Sequence, residues 1–404
     1  MNVLAPGRRR IFLLLVCTTG VSQFHRAATG TLGPELARDL ALDAEALGLL
    51  GGIFFIVLSL GMVPLGIALD RLGPRRTVGS LTLLAGAASL LFALADSEPM
   101  ALAARALVAT GCLGGFMGAV VLASRWFAGP GLAGGLALVF AGSNLGTVLA
   151  TAPLAWIAEV AGWQAGFVLA GIGTSLIGLA FLLLARDHPP GAEPPPRPRE
   201  GLADVLQGLR AVWTTRGLPH ILSIHLVAYA AMITLLGVWG GPYLDRVHDL
   251  TPSARGLVLS LMAAAQIVGL VAYGPLDRWF GSRKRVVLGG AALSAMTALA
   301  LALMPDAPLA VTAGLMTALC FLSGYTIVIV AHGRSLFPDH QVGRGVTTVN
   351  IAQCVGAAAL PVAFGLLIDS AETAGEFARG FALLAAALVL GMAGYARVSD
   401  SRPG

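Results

Sequence analysis

The chain has 404 residues, of which 56% are hydrophobic and 12% charged, and that balance excludes an ordinary soluble globular domain. The apolar residues are not spread in amphipathic stripes. They fall in blocks of about 20, the length a helix needs to cross roughly 30 Å of hydrocarbon. The net charge of +5 sits in the loops between the blocks, so it reads as membrane topology and no nucleic-acid partner is expected.

Twelve blocks are predicted as membrane helices. The first, 11–33, follows Arg8, Arg9 and Arg10 in the manner of a signal peptide, but it carries Gln23, His25 and Arg26 late in its course, which suits a retained span. Blocks 46–69 and 77–96 flank a short loop holding Gly66, Asp70, Arg71, Gly73, Arg75 and Arg76. Block 99–123 holds Arg105 about two turns from its start, and block 132–157 holds Asn144. After block 164–185 comes the one long connection, 186–217, with Pro189, Pro190 and Pro194 to Pro196. Within it Leu202, Val205, Leu206, Leu209 and Val212 recur at helical spacing, which predicts a short amphipathic helix on the membrane surface.

The second set of blocks begins at 218–242, with His225 and Tyr229 one turn apart, and continues through 254–276, with Gln266, and 285–304. Tyr325 lies in 309–331, Asn350 and Gln353 lie in 345–368, and 377–396 closes the series. The expected organisation is all-α: a six-helix bundle over 1–185, a cytoplasmic linker over 186–217 and a second six-helix bundle over 218–404.

Charge fixes the expected orientation. With the amino terminus in the cytoplasm, 20 of the 26 Lys and Arg residues lie on that side, against Arg38, Arg246, Arg255 and Arg379 on the other. Both termini are therefore expected in the cytoplasm, in a bacterial inner membrane. Cys17, Cys112, Cys320 and Cys354 fall inside apolar blocks at no metal-like spacing, so four buried thiols are expected, with no metal site and no cofactor. The only lysine is Lys284, outside any phosphate-cradling loop, which excludes nucleotide-driven pumping.

The halves repeat. The loop from Gly66 to Arg76 recurs six blocks later as Gly274, Asp277, Arg278, Gly281, Arg283, Lys284 and Arg285. Repeats half a chain apart imply two similar bundles related by an axis along the membrane normal. A glycine, Asp-Arg, a glycine and two basic residues between the second and third spans resemble the signature loop of the major facilitator superfamily. That resemblance, which covers the whole chain, implies a secondary transporter. It implies a conformational gating role for Gly66, Asp70, Arg71, Gly73, Arg75 and Arg76, with Asp277 and Arg278 in the second copy. Arg105 resembles the arginine of the family's fourth-helix motif, although Ala109 stands where that motif has glycine.

Ionisable residues inside the membrane cost roughly 2.5–3.5 kcal/mol on insertion scales and tend to mark a pathway. Arg26 and Arg105 qualify, whereas all 21 acidic residues fall in loops or at block ends. Two arginines without a central acid favour a small organic anion, because a guanidinium matches a carboxylate bidentately. Both arginines also admit a structural reading, bonded to carbonyls or reaching toward the surface. His25 and His225 are candidates for proton exchange. Asn144, Tyr229, Gln266, Tyr325, Asn350 and Gln353 are polar at cavity depth, with interhelical bonding as their plainer role. The expected protein is a monomeric carrier of a small, anionic solute, secondary active or facilitative, in contact with lipid and with protons as a candidate coupling partner. The alternative is an exporter or exchanger of amphipathic or zwitterionic compounds such as drugs, peptides or siderophores; a transporter-like sensor or a membrane enzyme is further off.

Overall fold

The computed structural model describes residues 6–127, 132–190, 212–337, 342–368 and 373–401. Among them every regular element is a helix. The membrane-length helices are α1 (Pro6–Asp39), α2 (Ala44–Leu72), α3 (Pro74–Ala93), α4 (Glu98–Trp126), α5 (132–161), α6 (163–184), α7 (Leu218–His248), α8 (Pro252–Tyr273), α9 (Arg283–Leu303), α10 (Leu309–Arg334), α11 (Val342–Gly365) and α12 (Ala374–Tyr395).

The division between α5 and α6 rests on one residue. The apolar run Gly134–Leu184 is continuous over 51 residues, which as one helix would measure about 77 Å, more than twice the hydrocarbon thickness. Gly162 turns the chain, with φ 83 and ψ 156, a region that only glycine enters without strain. Eleven long apolar stretches thereby become twelve spans.

Helix starts follow local chemistry. Proline occupies the first turn of α3, α4 and α8, where its missing N–H is no loss. Thr251 and Ser282 cap α8 and α9, and Thr373 with Glu376 forms a reciprocal capping box on α12. Four helices are interrupted inside: α4 at Leu113, α5 at Asn144, α7 by a π-turn over Leu235–Trp239, and α10 by a 3-10 turn over Ser323–Tyr325. Such breaks survive at membrane depth only where protein surrounds them, and the whole π-turn is indeed buried.

The chain forms two compact units, Met1–Leu42 with Ile53–Arg197, and Asp43–Gly52 with Pro198–Gly404. In the first, Ile11, Leu15, Leu69, Val78, Leu122 and Phe181 form an apolar core. Trp163 packs on Phe92 and Phe167 and donates from Nε1 to Asp39 at 2.8 Å. In the second, Trp239 stacks on Phe364 and donates to the Pro361 carbonyl at 3.0 Å. Outward-facing Leu60, Val160, Val271 and Leu390 are each at least two-thirds exposed. Water would not tolerate that surface, and the protein is an integral membrane protein.

Two expectations change. The first span runs from Pro6 to Asp39 and not 11–33, because its polar end residues Glu35 and Arg38 continue the helix and pair with each other at 3.3 Å. Cys17 is exposed and not buried, since hydropathy reports membrane depth and not which face of the helix meets protein. It lines an apolar groove of about 290 Å³ formed by α1, α5 and α6. The helix predicted within 202–212 lies outside the described residues up to 211.

Candidate functional site

The polar residues of α1 are positioned by a close helix crossing. Gly115 of α4 has no side chain to hold α1 away: a Cβ there would lie 3.2 Å from Ser22 Cβ, and Thr19 Oγ1 donates to the Gly115 carbonyl at 3.0 Å. Gly146 of α5 lies directly against the Gly20 backbone on another side of α1. These approaches bring five sequence-predicted residues into one unit.

Gln23 Nε2 donates to Asn144 Oδ1 at 3.5 Å, and Asn144 Nδ2 donates to the Phe140 carbonyl at 2.9 Å, so the break in α5 supports a residue facing α1. Arg26 is half-buried, its guanidinium 5.7 Å from the Phe55 ring centroid, and its Nε is buried without a hydrogen-bond partner. Arg105 is buried over the Phe54 ring at 4.8 Å and lies close enough to His25 for their charges to interact. Phe54 and Phe55 meet edge to face at 5.7 Å. Two adjacent rings of α2 therefore carry the two cations, each cation–π contact contributing about 0.5–2 kcal/mol.

His25 is completely buried and neither ring nitrogen has a hydrogen-bond partner. Ser22 Oγ and Thr29 Oγ1, also buried, are in the same condition. An orphaned buried polar atom costs about 1–3 kcal/mol, so this face of α1 is built for something other than stability.

The second unit gathers less. His225 is buried and faces Gln353 without completing a hydrogen bond from either ring nitrogen. Tyr325 is buried with its hydroxyl unpartnered, 6.4 Å ring to ring from Tyr273 and resting on Gly290. Tyr229, Gln266 and Asn350 are half-buried on α7, α8 and α11.

The signature loops resolve into unequal copies. Asp70, Arg71, Arg75 and Arg76 are exposed, Gly66 has open space around it, and Gly73 takes φ 82 beside Asp187. Arg75 Nε donates to the Leu182 carbonyl at 2.6 Å, and its backbone N–H donates to Asp187 Oδ1 at 2.7 Å. In the second copy Asp277 is buried and accepts from Arg283 Nε at 3.3 Å, while Arg278 is exposed.

Sequence reasoning missed what holds these loops. Asp187 follows α6 and Asp400 follows α12, and each accepts the backbone N–H of the second residue of a helix: Arg75 in α3 and, at 3.1 Å, Lys284 in α9. A carboxylate at a helix amino end is favoured by its free N–H groups and its dipole. Asp400 also accepts from Ser282 Oγ at 2.6 Å, Lys284 Nζ donates to the Val398 carbonyl at 2.9 Å, and His332 bonds Tyr395 Oη at 2.6 Å. A pair of acids, one closing each sequence repeat, was the available signal.

Burial pushes the Asp400 carboxyl up, but the hydrogen bonds from Ser282 and the Lys284 amide, with His332 beside it, outweigh that and hold it below the ordinary carboxylate value. A depressed pKa contributes stability above the unfolded value of ~3.9 that is lost as pH falls through the folded one. The clasp over 396–401 is thus expected to persist at neutral pH and to open only below about pH 4. Amide exchange protection of that segment checks this: Asp400→Ala should lose protection at pH 7, and unchanged protection would refute the clasp.

Comparison with known proteins adds the family. The model of the Major Facilitator Superfamily matches residues 15–251 and 221–403. A putative tartrate transporter of Agrobacterium vitis is 23% identical over 94% of this chain and 88% of its own length. A probable galactarate/D-glucarate transporter of Bacillus subtilis is 28% identical over 43% of this chain and 39% of its own. A membrane sensor protein of Salmonella typhimurium is 25% identical over 87% and 80%. Among solved structures, a bacterial homolog to the human lysosomal transporter Spinster superposes with a TM-score of 0.81 at 16% identity, covering 97% of this chain and 96% of that one. The twelve helices, the duplicated loops and a family match spanning both halves agree: this chain belongs to the Major Facilitator Superfamily of membrane transporters.

Proposed function

We propose that the protein carries a small organic anion, of the carboxylate class, across a bacterial inner membrane by alternating access, as a monomer with both termini in the cytoplasm. The observation that carries this reading is Arg26: a guanidinium at membrane depth, stacked on Phe55, with Nε unpartnered. A cation at such depth is costly, and a carboxylate would supply the missing acceptor bidentately. Gln23 and Asn144, already in contact, offer amide groups suited to hydroxyls on the same solute. Relatives named for tartrate and for galactarate/D-glucarate, both hydroxylated diacids, support this class. The loops around Asp70 and Asp277 act in this reading as conformational latches, with Arg71, Arg76 and Arg278 as their exposed charges.

A thermal-shift screen of the purified protein tests the class without assuming a transport direction. Tartrate or galactarate at 100 times its dissociation constant should stabilise the folded protein by about 2.7 kcal/mol, while cationic amines and neutral sugars should not. Stabilisation by cations alone would overturn the reading.

A further inference from the structure

We propose that one anionic phospholipid of the cytoplasmic leaflet binds the first unit at a fixed place, its phosphate on Arg9 and Arg10 and one acyl chain in the groove between α1, α5 and α6. Of the function proposed above, this takes only the cytoplasmic amino terminus and is otherwise independent of the solute. The groove, about 290 Å³, is bordered by no charged residue, and the buried Thr174 supplies its one hydroxyl. A water-soluble solute would lose its hydration there and find almost nothing to bond. Hydrocarbon would lose nothing, and it already covers the surface on which the groove opens. Leu145 and Leu149, on the α5 wall, are 61% and 48% exposed, and Leu169 and Leu176, one turn either side of Gly173 on α6, are exposed as well. Of the four glycines that line the groove, three serve helix contacts: a Cβ on Gly20 or Gly142 would meet Ser143 or Val16, and one on Gly146 would strike the Gly20 backbone. Gly173 is different. A Cβ there would meet nothing within 4 Å, so the missing side chain serves no packing and leaves the groove open, although glycine weakens a helix interior relative to alanine.

Charge selects the headgroup. Arg10, Leu13, Cys17, Gly20 and Phe24 follow one another three or four residues apart and so lie on one face of α1. Arg8, Arg9, Arg10 and Leu13 are exposed, and the last three residues of the stripe line the groove. The stripe thus leads from a cationic surface into an apolar cavity. Cys17 lies seven residues or about 10 Å beyond Arg10, and Phe24 about 21 Å. An acyl chain that crosses one leaflet, about 15 Å, therefore ends inside the groove. A further arginine reaches the same corner. Gly7 lies against the Trp126 ring, and Trp126 Nε1 donates to the Arg186 carbonyl at 2.9 Å, so the exposed Arg186 that follows α6 joins the arginines at the head of α1. The acid beside it, Asp187, is engaged by the Arg75 amide at the start of α3. A phosphate at this corner gains charge-assisted hydrogen bonds, and an anionic headgroup is preferred there to a zwitterionic one. The bound chain fills the space next to the Gln23–Asn144 contact, whose chain neighbours Phe24 and Leu145 both line the groove, and braces α1 against α5 and α6.

Photo-crosslinking tests this on the full chain. In phosphatidylcholine nanodiscs carrying a trace of phosphatidylglycerol with a diazirine near the end of one acyl chain, the wild-type protein should crosslink mainly within 13–24 and 169–177. The lipid-facing surfaces around Met296 in α9 and Leu390 in α12, both well exposed, should crosslink several-fold less. Unlabelled phosphatidylglycerol should compete several-fold better than phosphatidylcholine, and Arg9→Gln with Arg10→Gln should bring the two lipids close to parity. Gly173→Leu, which fills the groove, should cut crosslinking several-fold, whereas Gly289→Leu, at an equally open glycine of α9, should not. If Gly173→Leu does not fold, the wild-type crosslink map and the lipid competition decide. Crosslinks spread evenly over α1, α6, α9 and α12, equal competition by the two lipids in the wild type, or equal crosslinking of folded Gly173→Leu and Gly289→Leu overturns the proposal. The probe is the lipid itself, so absence of tartrate or galactarate binding overturns the anion reading and leaves this site standing.

Discussion

Arg26→Ala is expected to abolish transport of the anion while leaving the folded protein at least as stable as the wild type. A charge-assisted hydrogen bond is worth about 1.5–3 kcal/mol, so losing a two-pronged guanidinium contact removes roughly 3–6 kcal/mol of binding. At about 1.4 kcal/mol per tenfold, affinity falls on the order of 10² to 10⁴-fold, below what counterflow in proteoliposomes detects. Arg26→Lys keeps the charge but loses the planar fork and part of the stacking on Phe55. One lost bond of about 1.5–3 kcal/mol predicts an affinity weaker by roughly 10- to 100-fold. Stability moves the other way, because removing an intramembrane cation with an orphaned Nε relieves roughly 2.5–3.5 kcal/mol of insertion cost against about 0.5–2 kcal/mol of ring contact. Wild-type counterflow in the alanine variant would sink the assignment. So would a variant that fails because it unfolds, since that would make Arg26 structural.

The division between what could and could not be read from the chain follows from range. The spans were legible because burial in hydrocarbon acts on about 20 consecutive residues at once, and the duplicated loops because Asp70-Arg71 and Asp277-Arg278 recur as local strings. Arg26, Arg105 and His25 stood out because an ionisable residue in an apolar block is visible without any partner. Their supports were not visible. Phe54 and Phe55 are two apolar residues in an apolar span, and only the fold turns them under Arg105 and Arg26. Asp187 and Asp400 look like loop charges until the chain brings them to Arg75 and Lys284, 112 and 116 residues away in sequence. Cys17 eludes sequence reasoning for a related reason: hydropathy gives depth but not azimuth, and its side of α1 faces a groove. Helix ends are underestimated because polar residues such as Glu35 and Arg38 stop a hydropathy block without stopping a helix.

Glycines at helix crossings carry an energetic weight that hydropathy does not reveal, and here the largest effect on folding is expected. Gly356→Ala should prevent α11 from packing on α7, because the added methyl would fall inside the Leu226 backbone carbonyl. Gly146→Ala should do the same between α5 and α1 at the Gly20 carbonyl. Neither obstacle is a side chain able to rotate away, so the helices must separate along their contact and lose close packing, which in a membrane is much of what holds them together. Overpacking in a tight interior costs about 1–3 kcal/mol where side chains can yield, and more where backbone must move. Intrinsic propensity opposes this, since alanine is better than glycine inside a helix by about 0.5–1 kcal/mol. The sign of each substitution is therefore set by space alone. At Gly173 in α6 and Gly289 in α9 an added methyl would meet nothing within 4 Å, so Gly173→Ala and Gly289→Ala should fold as well as the wild type or slightly better. Gly356→Ala and Gly146→Ala should lose the monodisperse peak on size-exclusion chromatography and unfold at lower temperature. Equal behaviour of all four would mean that the α1–α5 and α7–α11 crossings are looser than the glycine contacts require.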